Sequence, residues 1–289
     1  MSTTSPTAPV TLITGASSGI GRVTALELAR AGHRLVLAGR GARKHQPVLD
    51  DIAALPGSPE ARWLSLDLGD LASVAACAQA FLALGWPLHT LILNAGLAGL
   101  RGRTASGFEM AFGVNHLGHF ALTQALLPCL QAAAPARVIT VASKMHFRAK
   151  GLDWGALQRP TASLTGVPEY NASKLANVLF ATELARRLAG TGVDSYVVHP
   201  GVVATEVWRH VPALVRPLLK RMFGMITPEE GARSTLLCAT APTSHLEPGG
   251  YYDRTRLRPI SPVAQDPALA HDLWQRSLQW LPAATSPPH

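Results

Sequence analysis

The sequence predicts an α/β protein: a single-domain Rossmann fold with a doubly wound parallel sheet and helices on both faces. Short apolar runs rich in β-branched residues alternate with helical segments, and the first run leads through a glycine-rich turn into a helix. No internal repeat or linker divides the chain. We therefore expect one domain over residues 10–281, between a disordered N-terminus at 1–9 and a disordered tail at 282–289.

Composition limits the class of protein. Hydrophobic residues make up 47% of the 289 residues, yet no apolar run reaches the ~20 residues that span a bilayer. The first nine residues carry neither the charged nor the apolar region of a signal peptide. Cys77, Cys129 and Cys238 lie far apart among apolar residues, as is typical of reduced core cysteines. We expect a cytoplasmic protein without a transmembrane segment, a disulfide or a metal site.

The net charge of +8 raises the question of an anionic partner. The chain has no nucleic-acid recognition motif and no aromatic-rich basic stripe, so we expect no nucleic acid as a partner. Basic residues dispersed through an alanine-rich sequence favour solubility, and some of them can serve a small anionic ligand.

The first predicted strand, residues 10–14, runs directly into the glycine-rich segment 15–21 and then into a helix over 22–31. Glycines allow a tight turn and let a phosphate approach the backbone, while the helix N-terminus presents free N–H groups. The spacing G-x-x-x-G-x-G in this context favours a dinucleotide site. The alternative is a purely structural glycine turn.

The second predicted strand, residues 34–38, ends in Gly39 and Arg40, with Arg43 and Lys44 close behind. A dinucleotide fold that prefers NAD usually places an acid here to bind the ribose 2′-OH, whereas an arginine accommodates a 2′-phosphate. The sequence therefore favours NADP(H) over NAD(H). The alternative is a solvated arginine in a loop.

Two further strands end in polar residues. The strand over 62–66 is followed by Asp67 and Leu68, where an adenine can bind at the strand end, although a lone acid there is often a helix cap. The strand over 88–93 is followed by residues 94–96, Asn-Ala-Gly.

A long helix is predicted over 109–130, interrupted by the segment 112–118 with its two glycines. Each glycine in a helix costs about 1 kcal/mol relative to alanine, which indicates close backbone packing or a local distortion. Asn115 lies between the glycines, and a packing role and a site role are both open for it. The strand over 138–142 then brings Ser143 to its end, where a serine often serves only a turn.

Tyr170 and Lys174 lie four residues apart on a predicted helix that extends to residue 188, so they share one face. A phenol near pKa 10 is a poor proton donor at neutral pH, and a nearby ammonium lowers that pKa by roughly 1–3 units. Such a tyrosine is a usable general acid and base. The alternative is an ordinary pair on a solvated helix face.

The last third of the chain completes the predicted fold. A strand over 194–199 ends in Pro200 and Gly201, and Thr205 follows. Residues 208–226 form an amphipathic basic segment. It is predicted to belong to a substrate lid over 202–226, and the alternatives are a packing helix or a membrane-surface contact. A helix over 228–239, an edge strand over 249–252 and a helix over 267–281 follow.

Together these residues resemble the short-chain dehydrogenase/reductase family. The matching elements follow the family order and span about residues 10–281: segments 14–21 and 94–96, Asn115, Ser143, Tyr170 with Lys174, and Pro200 with Gly201. Within the family, the runs 114–120, 173–180, 227–232, 262–266 and 273–277 are similar to the retinol dehydrogenase and WW-domain oxidoreductase branch.

The resemblance implies a role for each matching residue. Tyr170 exchanges a proton with the substrate oxygen, Ser143 hydrogen-bonds that oxygen, and Asn115 supports a water relay. Lys174 lowers the Tyr170 pKa and holds the nicotinamide ribose. The residues implied to bind the cofactor are Gly15, Ser17, Ser18, Gly19, Ile20 and Gly21 for the adenosine half, Arg40 for the 2′-phosphate, Asp67 and Leu68 for the adenine, Asn94, Ala95 and Gly96 for the ribose region, and Tyr170, Lys174, Pro200, Gly201 and Thr205 near the nicotinamide.

The sequence thus predicts an NADP(H)-dependent oxidoreductase that interconverts a carbonyl and an alcohol on a small, lipophilic molecule. Apolar side chains in the loop after Ser143 and in 202–226 would form the pocket walls, among them Met145, Phe147, Trp154 and Leu157, unless they only pack the loops. Rival interpretations are a catalytically silent NADP(H)-binding regulator or scaffold, and a membrane-surface protein. The sequence leaves a homo-oligomer and a peripheral membrane contact open.

Overall fold

The computed structural model describes residues 8–201 and 226–281. Within them, one eight-stranded sheet has the order β3-β2-β1-β4-β5-β6-β7-β8. The strands, in chain order, are β1 Val10–Thr14, β2 Arg34–Gly39, β3 Ala61–Ser65, β4 Thr90–Leu93, β5 Ala136–Val141, β6 Val193–His199, β7 Tyr251–Asp253 and β8 Arg256–Arg258. Strands β1 to β7 pair in parallel and β8 pairs with β7 antiparallel.

Helices cover both faces of this sheet, so the predicted α/β class is confirmed. Their bounds are α1 Gly19–Arg30, α2 Ala42–Ala53, α3 Leu71–Leu82, α4 Met110–Phe112, α5 Gly118–Ala132, α6 Val167–Arg187, α7 Pro228–Thr240 and α8 Pro267–Trp280. Helix α1 packs against α7 on one face, while α3 packs against α5 and α6 against α8 on the other.

Two hydrophobic cores, one on each face, explain why the strands appear in the sequence as continuous apolar runs. Successive residues of a strand point to opposite faces. Leu12 and Val36 accordingly belong to one core, whereas their neighbours Ile13 and Leu37 belong to the other, and all four are fully buried. A parallel strand buried on both faces needs apolar residues throughout, as these runs have.

The prediction that residues 249–252 form an edge strand is wrong. The observed β7 lies between β6 and β8, and the antiparallel β8 is the edge of the sheet. A tight turn with Arg254 at φ +59° joins the two strands. Because β8 reads Arg-Leu-Arg and is exposed along its length, its sequence lacks the apolar pattern of a strand.

The predicted interruption of the long helix is a π-helical turn, Gly113–Leu117, between α4 and α5. Both glycines also serve close packing. A Cβ on Gly118 would collide with the carbonyl oxygen of Leu68, and a Cβ on Gly113 would lie 2.6 Å from Cγ2 of Thr104. Local distortion and close approach thus occur together in this segment.

Several expectations concern residues outside the described ranges. They are the predictions for the terminal segments 1–9 and 282–289, and for the lid 202–226 with its membrane-contact alternative over 208–226. Only Ala8, Pro9 and Ile226 of these segments are described. Among the described helices, none has the length and apolar character needed to cross a bilayer.

Candidate active site

The segments that follow β1, β2, β3 and β4 border a cleft of about 620 Å³. It lies at the carboxyl ends of the strands, where the strand order reverses between β1 and β4, which is where open α/β sheets bind ligands. The predicted residues that line it are Gly15, Ser17, Ser18, Gly19, Ile20, Gly21, Arg40, Asp67, Leu68, Asn94, Ala95 and Gly96. The structure therefore brings the whole predicted adenosine and ribose set to one cleft.

The glycine-rich turn has the geometry that a dinucleotide phosphate requires. Gly15 has φ +71°, and a Cβ on Gly21 would collide with the Gly15 carbonyl oxygen and lie 2.5 Å from Asn94 Nδ2. Ser18, the N-cap of α1, makes no side-chain capping hydrogen bond within the described structure. The first-turn N–H groups at the cleft thus remain available to an anion, so the turn fits the pyrophosphate of a nicotinamide dinucleotide.

Two cations lie at the β2 side of the cleft. Arg40 and Lys44 both line it and are exposed, and neither forms an ion pair with another described residue. Arg43 is exposed but does not line the cleft. Asp67 lines the cleft and also accepts a hydrogen bond from Gly69 N at 2.9 Å, so its turn role and its place in the cleft coexist.

A network of buried polar groups joins β1 to the residues after β4, and it fixes the tautomer of His119. Nδ1 of His119 lies 3.0 Å from the carbonyl oxygen of Asn115, so Nδ1 is the donor. Thr14 Oγ1 accepts the N–H groups of Asn94 and Ala95, both at 3.0 Å, and lies 2.9 Å from His119 Nε2. The hydroxyl proton is therefore donated to Nε2, since its other acceptor is a carbonyl of β4 at 3.4 Å. Burial lowers the pKa of His119 to about 4, which keeps the ring neutral as this pattern requires.

The side chain of Asn115 links this network to α6. Its Oδ1 accepts from Leu97 N at 2.8 Å, and its Nδ2 donates to Leu97 O and to Ser173 Oγ, both at 2.9 Å. Ser173 in turn donates to the carbonyl oxygen of Tyr170 at 2.8 Å. Asn115 is fully buried. Through these hydrogen bonds it connects the segment after β4, which borders the cleft, to the backbone of Tyr170.

Ser143, Tyr170 and Lys174 come together between the end of β5 and the first turns of α6. Tyr170 hydrogen-bonds Ser143, whose Oγ also accepts from Met145 N at 3.2 Å and so caps the next turn. The Lys174 Nζ lies 5.7 Å from the centroid of the Tyr170 ring and donates to the carbonyl oxygen of Val141 at 3.0 Å. Tyr170 and Lys174 thus share one helix face, and that face points into the protein, because Lys174 is only 4% exposed.

In the protein without a ligand, the nearby Lys174 is not enough to bring the pKa of Tyr170 below its usual value. Burial raises the pKa of the phenol above its usual value, and the hydrogen bond from Ser143 offsets this only in part. Burial also lowers the pKa of Lys174 to about 8. Desolvation outweighs the charge effect because the ammonium bonds to the Val141 carbonyl and not to the phenol oxygen.

Gly96 joins the cleft to these three side chains. A Cβ at Gly96 would lie 3.3 Å from Asn115 Oδ1 and 3.6 Å from Lys174 Nζ. Pro200 and Gly201 follow β6, the neighbour of β5, and Gly201 has φ +98°. Thr205 lies outside the described residues.

Two of the side chains predicted to form pocket walls instead pack their loop against the hydrophobic core. Leu157 is buried in a hydrophobic core, and Trp154 packs against that core with the Arg276 guanidinium 4.7 Å from its ring. Met145 is half-buried and Phe147 is half-exposed. The alternative interpretation is thus correct for Trp154 and Leu157.

Comparison with known proteins places the chain in a family. A model described as short chain dehydrogenase matches residues 9–214, which is more than half of the chain. The chain belongs to the short-chain dehydrogenase family. It is an oxidoreductase that interconverts CH–OH and C=O groups with a nicotinamide cofactor, and the resemblance to the retinol dehydrogenase branch is confirmed.

Relatives of this short-chain dehydrogenase match nearly its full length. The human dehydrogenase/reductase SDR family member 13 is 44% identical over 270 residues, 92% of this chain and 71% of the relative. Human retinol dehydrogenase 12 is 43% identical over 277 residues, 94% of this chain and 86% of the relative. A crystal structure of an uncharacterized protein from Mycobacterium paratuberculosis has a TM-score of 0.75 at 33% identity, covering 95% of each chain.

Some residues of this site are absent from the sequence prediction. Thr14 and His119 hold the turn after β4, and Ser173 and Val141 position α6. His119 follows Asn115 by four residues on a predicted helix, a spacing that could have indicated the contact. The bond from Lys174 to Val141 has no such signal, because it joins residues from distant parts of the chain.

Proposed function

We propose that this short-chain dehydrogenase interconverts a carbonyl and an alcohol on a lipophilic substrate and prefers NADP(H). One observation carries the proposal. The cleft has Arg40 and Lys44 at one end, while at its other end Gly96 adjoins Lys174, next to Tyr170 and Ser143. A phosphate-bearing dinucleotide in this cleft would extend from the two cations towards the acid/base set.

Each residue of the set has a proposed task. Bound NADP(H) supplies the hydride chemistry. Ser143 and Tyr170 hydrogen-bond the substrate oxygen, and Tyr170 moves the proton to or from it. Lys174 holds the nicotinamide ribose and, as an ammonium, favours the phenolate. Because the pKa of Lys174 is about 8, this ammonium is largely retained at neutral pH.

Asn115 and the residues after β6 have supporting tasks. We assign Asn115 the support of a water relay, with its side chain fixed by Leu97 and Ser173. Pro200, Gly201 and Thr205 are assigned to the nicotinamide side of the cofactor. The twelve predicted residues among those that line the cleft are assigned to the adenosine and ribose parts of the cofactor.

The preference for NADP(H) follows from charge at the β2 side of the cleft. Arg40 and Lys44 both line the cleft on this side, and β2 ends in Gly39 where NAD-binding folds usually place an acid. The RhlG/NADP active-site complex of Pseudomonas aeruginosa, a structure with 26% identity and a TM-score of 0.66 that covers 86% of this chain, supports the same preference.

The lipophilic substrate is supported by the kind of molecule that relatives are named for. Retinol dehydrogenase 12 is one, and a mouse polyprenol dehydrogenase that is 41% identical over 281 residues is another. On this chain, half-exposed Leu100 lines the cleft, and half-buried Met145 lies directly after Ser143 and Lys144. The rival interpretation as a silent scaffold is disfavoured because Asn115, Ser143, Tyr170 and Lys174 are all present.

Two measurements test the proposal. Dissociation constants of NADPH and NADH for the wild-type protein, taken from quenching of protein fluorescence, should differ by at least ten-fold in favour of NADPH. Equal constants would refute the preference.

The second measurement is kcat/KM for ketones of growing alkyl or aryl bulk. Each methylene buried should contribute up to about 0.8 kcal/mol until the pocket is full. A flat response to size, or a preference for polyhydroxylated substrates, would refute the lipophilic pocket. The absence of turnover with any ketone, aldehyde or secondary alcohol would favour the silent scaffold.

A further inference from the structure

The strand β2 ends in a residue without a side chain, and the space that a side chain would need is filled. A Cβ built on Gly39 would lie 2.8 Å from both Cε1 and Nε2 of His45. Carbon atoms in contact are normally about 3.5–4.0 Å apart. Any side chain at position 39 therefore meets the edge of the His45 imidazole ring.

The imidazole is held in this place from several sides. His45 is 1% exposed, and its Nδ1 donates to the Gly41 carbonyl oxygen at 3.1 Å. Its ring centroid lies 6.3 Å from that of Trp63. The indole N–H of Trp63 donates to the carbonyl oxygen of Gly39 at 3.1 Å. Trp63 therefore lies beside the His45 ring and also hydrogen-bonds the backbone of Gly39.

The backbone of Gly39 is also fixed. Gly39 pairs with Ser65 in the β2–β3 ladder, and its carbonyl accepts a second hydrogen bond, from Leu66 N at 3.3 Å. Neither the strand nor the ring can give way without breaking hydrogen bonds or losing packing.

The position matters because of what dinucleotide folds place there. An acid about 20 residues after the glycine turn, at the end of the second strand, binds the ribose 2′-OH of NAD. In this chain, that position is Gly39, and it lines the cleft beside Arg40 and Lys44.

We propose that His45 is a specificity-determining residue, whose ring excludes an acidic side chain at position 39 and so leaves cofactor choice to Arg40 and Lys44. The proposal rests on the proposed preference for NADP(H). Its consequence is that no single substitution at position 39 converts the protein to NAD(H), because the space opens only when His45 is also replaced.

A double-mutant cycle of Gly39→Ala and His45→Ala tests the steric claim without any cofactor. In the presence of His45, Gly39→Ala should lower Tm by roughly 3–10 °C, as overpacking does. In the His45→Ala background, the same substitution should lower Tm by at most a third of that amount. Gly57→Ala is the matched control, because Gly57 has φ +64° and no atom near its Cβ position, so its cost should be the same in both backgrounds.

A second cycle uses Gly39→Asp and measures NADH and NADPH dissociation constants by fluorescence. Gly39→Asp in the His45→Ala background should tighten NADH binding at least ten-fold relative to His45→Ala alone, whereas Gly39→Asp by itself should not. Equal Tm shifts for Gly39→Ala in both backgrounds would overturn the proposal, as would NADH binding gained by Gly39→Asp alone with an unchanged Tm.

These outcomes do not depend on whether the proposed function is correct. If wild-type NADPH and NADH constants are equal, the NADP(H) preference fails, yet the Tm cycle still decides whether His45 excludes a side chain at position 39. If Gly39→Asp alone does not fold, while Gly39→Asp with His45→Ala does, the steric claim is supported directly.

Discussion

Lys174 Nζ donates a hydrogen bond to the carbonyl oxygen of Val141 at 3.0 Å, and this bond ties α6 to the end of β5. Asn177, one helical turn further along, donates to the same carbonyl at 3.2 Å. The ammonium is thereby held beside the cleft before any ligand binds. A fixed lysine keeps its distance to Tyr170 constant, and constant geometry is what proton transfer to a bound substrate requires.

Tyr170→Phe should fold and bind NADPH with an unchanged dissociation constant, but lose roughly 10²–10⁴-fold in turnover, because only the phenol proton is removed. Steady-state rates and fluorescence titration on the same sample check both parts. Tyr252→Phe is a suitable control, since its hydroxyl accepts from the Glu247 N–H and serves a loop outside the cleft. Wild-type turnover in Tyr170→Phe would contradict the assignment.

Lys174→Met should shift the pH profile of alcohol oxidation. In that direction the phenolate is the base, so the rate rises with pH through the Tyr170 pKa. Burial already raises this pKa, and removal of the ammonium should raise it by about another unit or more. The rise in rate should therefore move to higher pH, and NADPH binding should weaken. The exposed Lys150, replaced by Met, should leave the profile where it is.

Arg40→Ala should weaken NADPH binding by about 10- to 100-fold and leave NADH binding nearly unchanged, because a charge-assisted contact to the 2′-phosphate is worth about 1.5–3 kcal/mol. Arg43→Ala is the matched control, because Arg43 is also exposed but does not line the cleft. If both variants lost NADPH affinity to the same extent, a general charge effect would replace the specific contact.

His119→Phe should weaken cofactor binding and lower kcat, since it removes the bridge between Asn115 and Thr14. His119→Gln can still donate to one partner and accept from the other, so it should recover much of both losses. A ring whose only task is to fill space would give the opposite order, with Phe the milder change. Dissociation constants for NADPH and kcat distinguish the two.

The stability of the protein should fall as pH decreases below about 6.5. Burial lowers the pKa of His116 to about 3 and that of His119 to about 4. Below pH 6.5 the unfolded chain therefore binds protons that the folded protein excludes. The slope that each histidine contributes rises from about 0.7 kcal/mol per pH unit at pH 6.5 towards about 1.4 kcal/mol per pH unit at lower pH.

Urea unfolding between pH 6.5 and 5.5 measures this slope above the titration of most carboxyl groups. His116→Phe should reduce the slope by about 1 kcal/mol per pH unit over this range, whatever it does to the absolute stability. A slope unaffected by His116→Phe would show that His116 is protonated in the fold.

The sequence predicts the strands that enter one buried sheet, because each is a short apolar run between turn residues. It does not predict β8, whose Arg-Leu-Arg sequence is held by the hairpin with β7 and not by burial. It places Tyr170 and Lys174 on one helix face, since helical spacing is a local property. It misjudges the Tyr170 pKa, because desolvation depends on neighbours that only the folded chain brings together.

In the cofactor cleft, too, some features can be predicted from the sequence and others depend on the folded chain. The glycine turn and Arg40 are visible in the sequence because their chemistry follows from residue type and from position after a strand. The contact between Gly39 and His45 is not, since it depends on where the first turns of α2 return to the end of β2. Likewise, the sequence suggests Trp154 and Leu157 as pocket walls, but Leu157 is buried in the core and Trp154 packs against it. An apolar residue in a loop does not reveal which side it faces.

The π-helical turn at Gly113–Leu117 limits how this chain can change in length. A π turn holds one residue more than an α turn, so deletion of any one residue there would restore a regular helix. The turns before and after the deletion would keep nearly the same orientation, but the residues inside the segment would take new positions around the helix axis. Asn115 lies inside the segment, so it would lose the position from which it reaches Leu97 and Ser173. A chain shortened by one residue here should therefore keep its helix and lose the Asn115 hydrogen bonds, whereas a substitution that keeps the length of the segment leaves the π turn available.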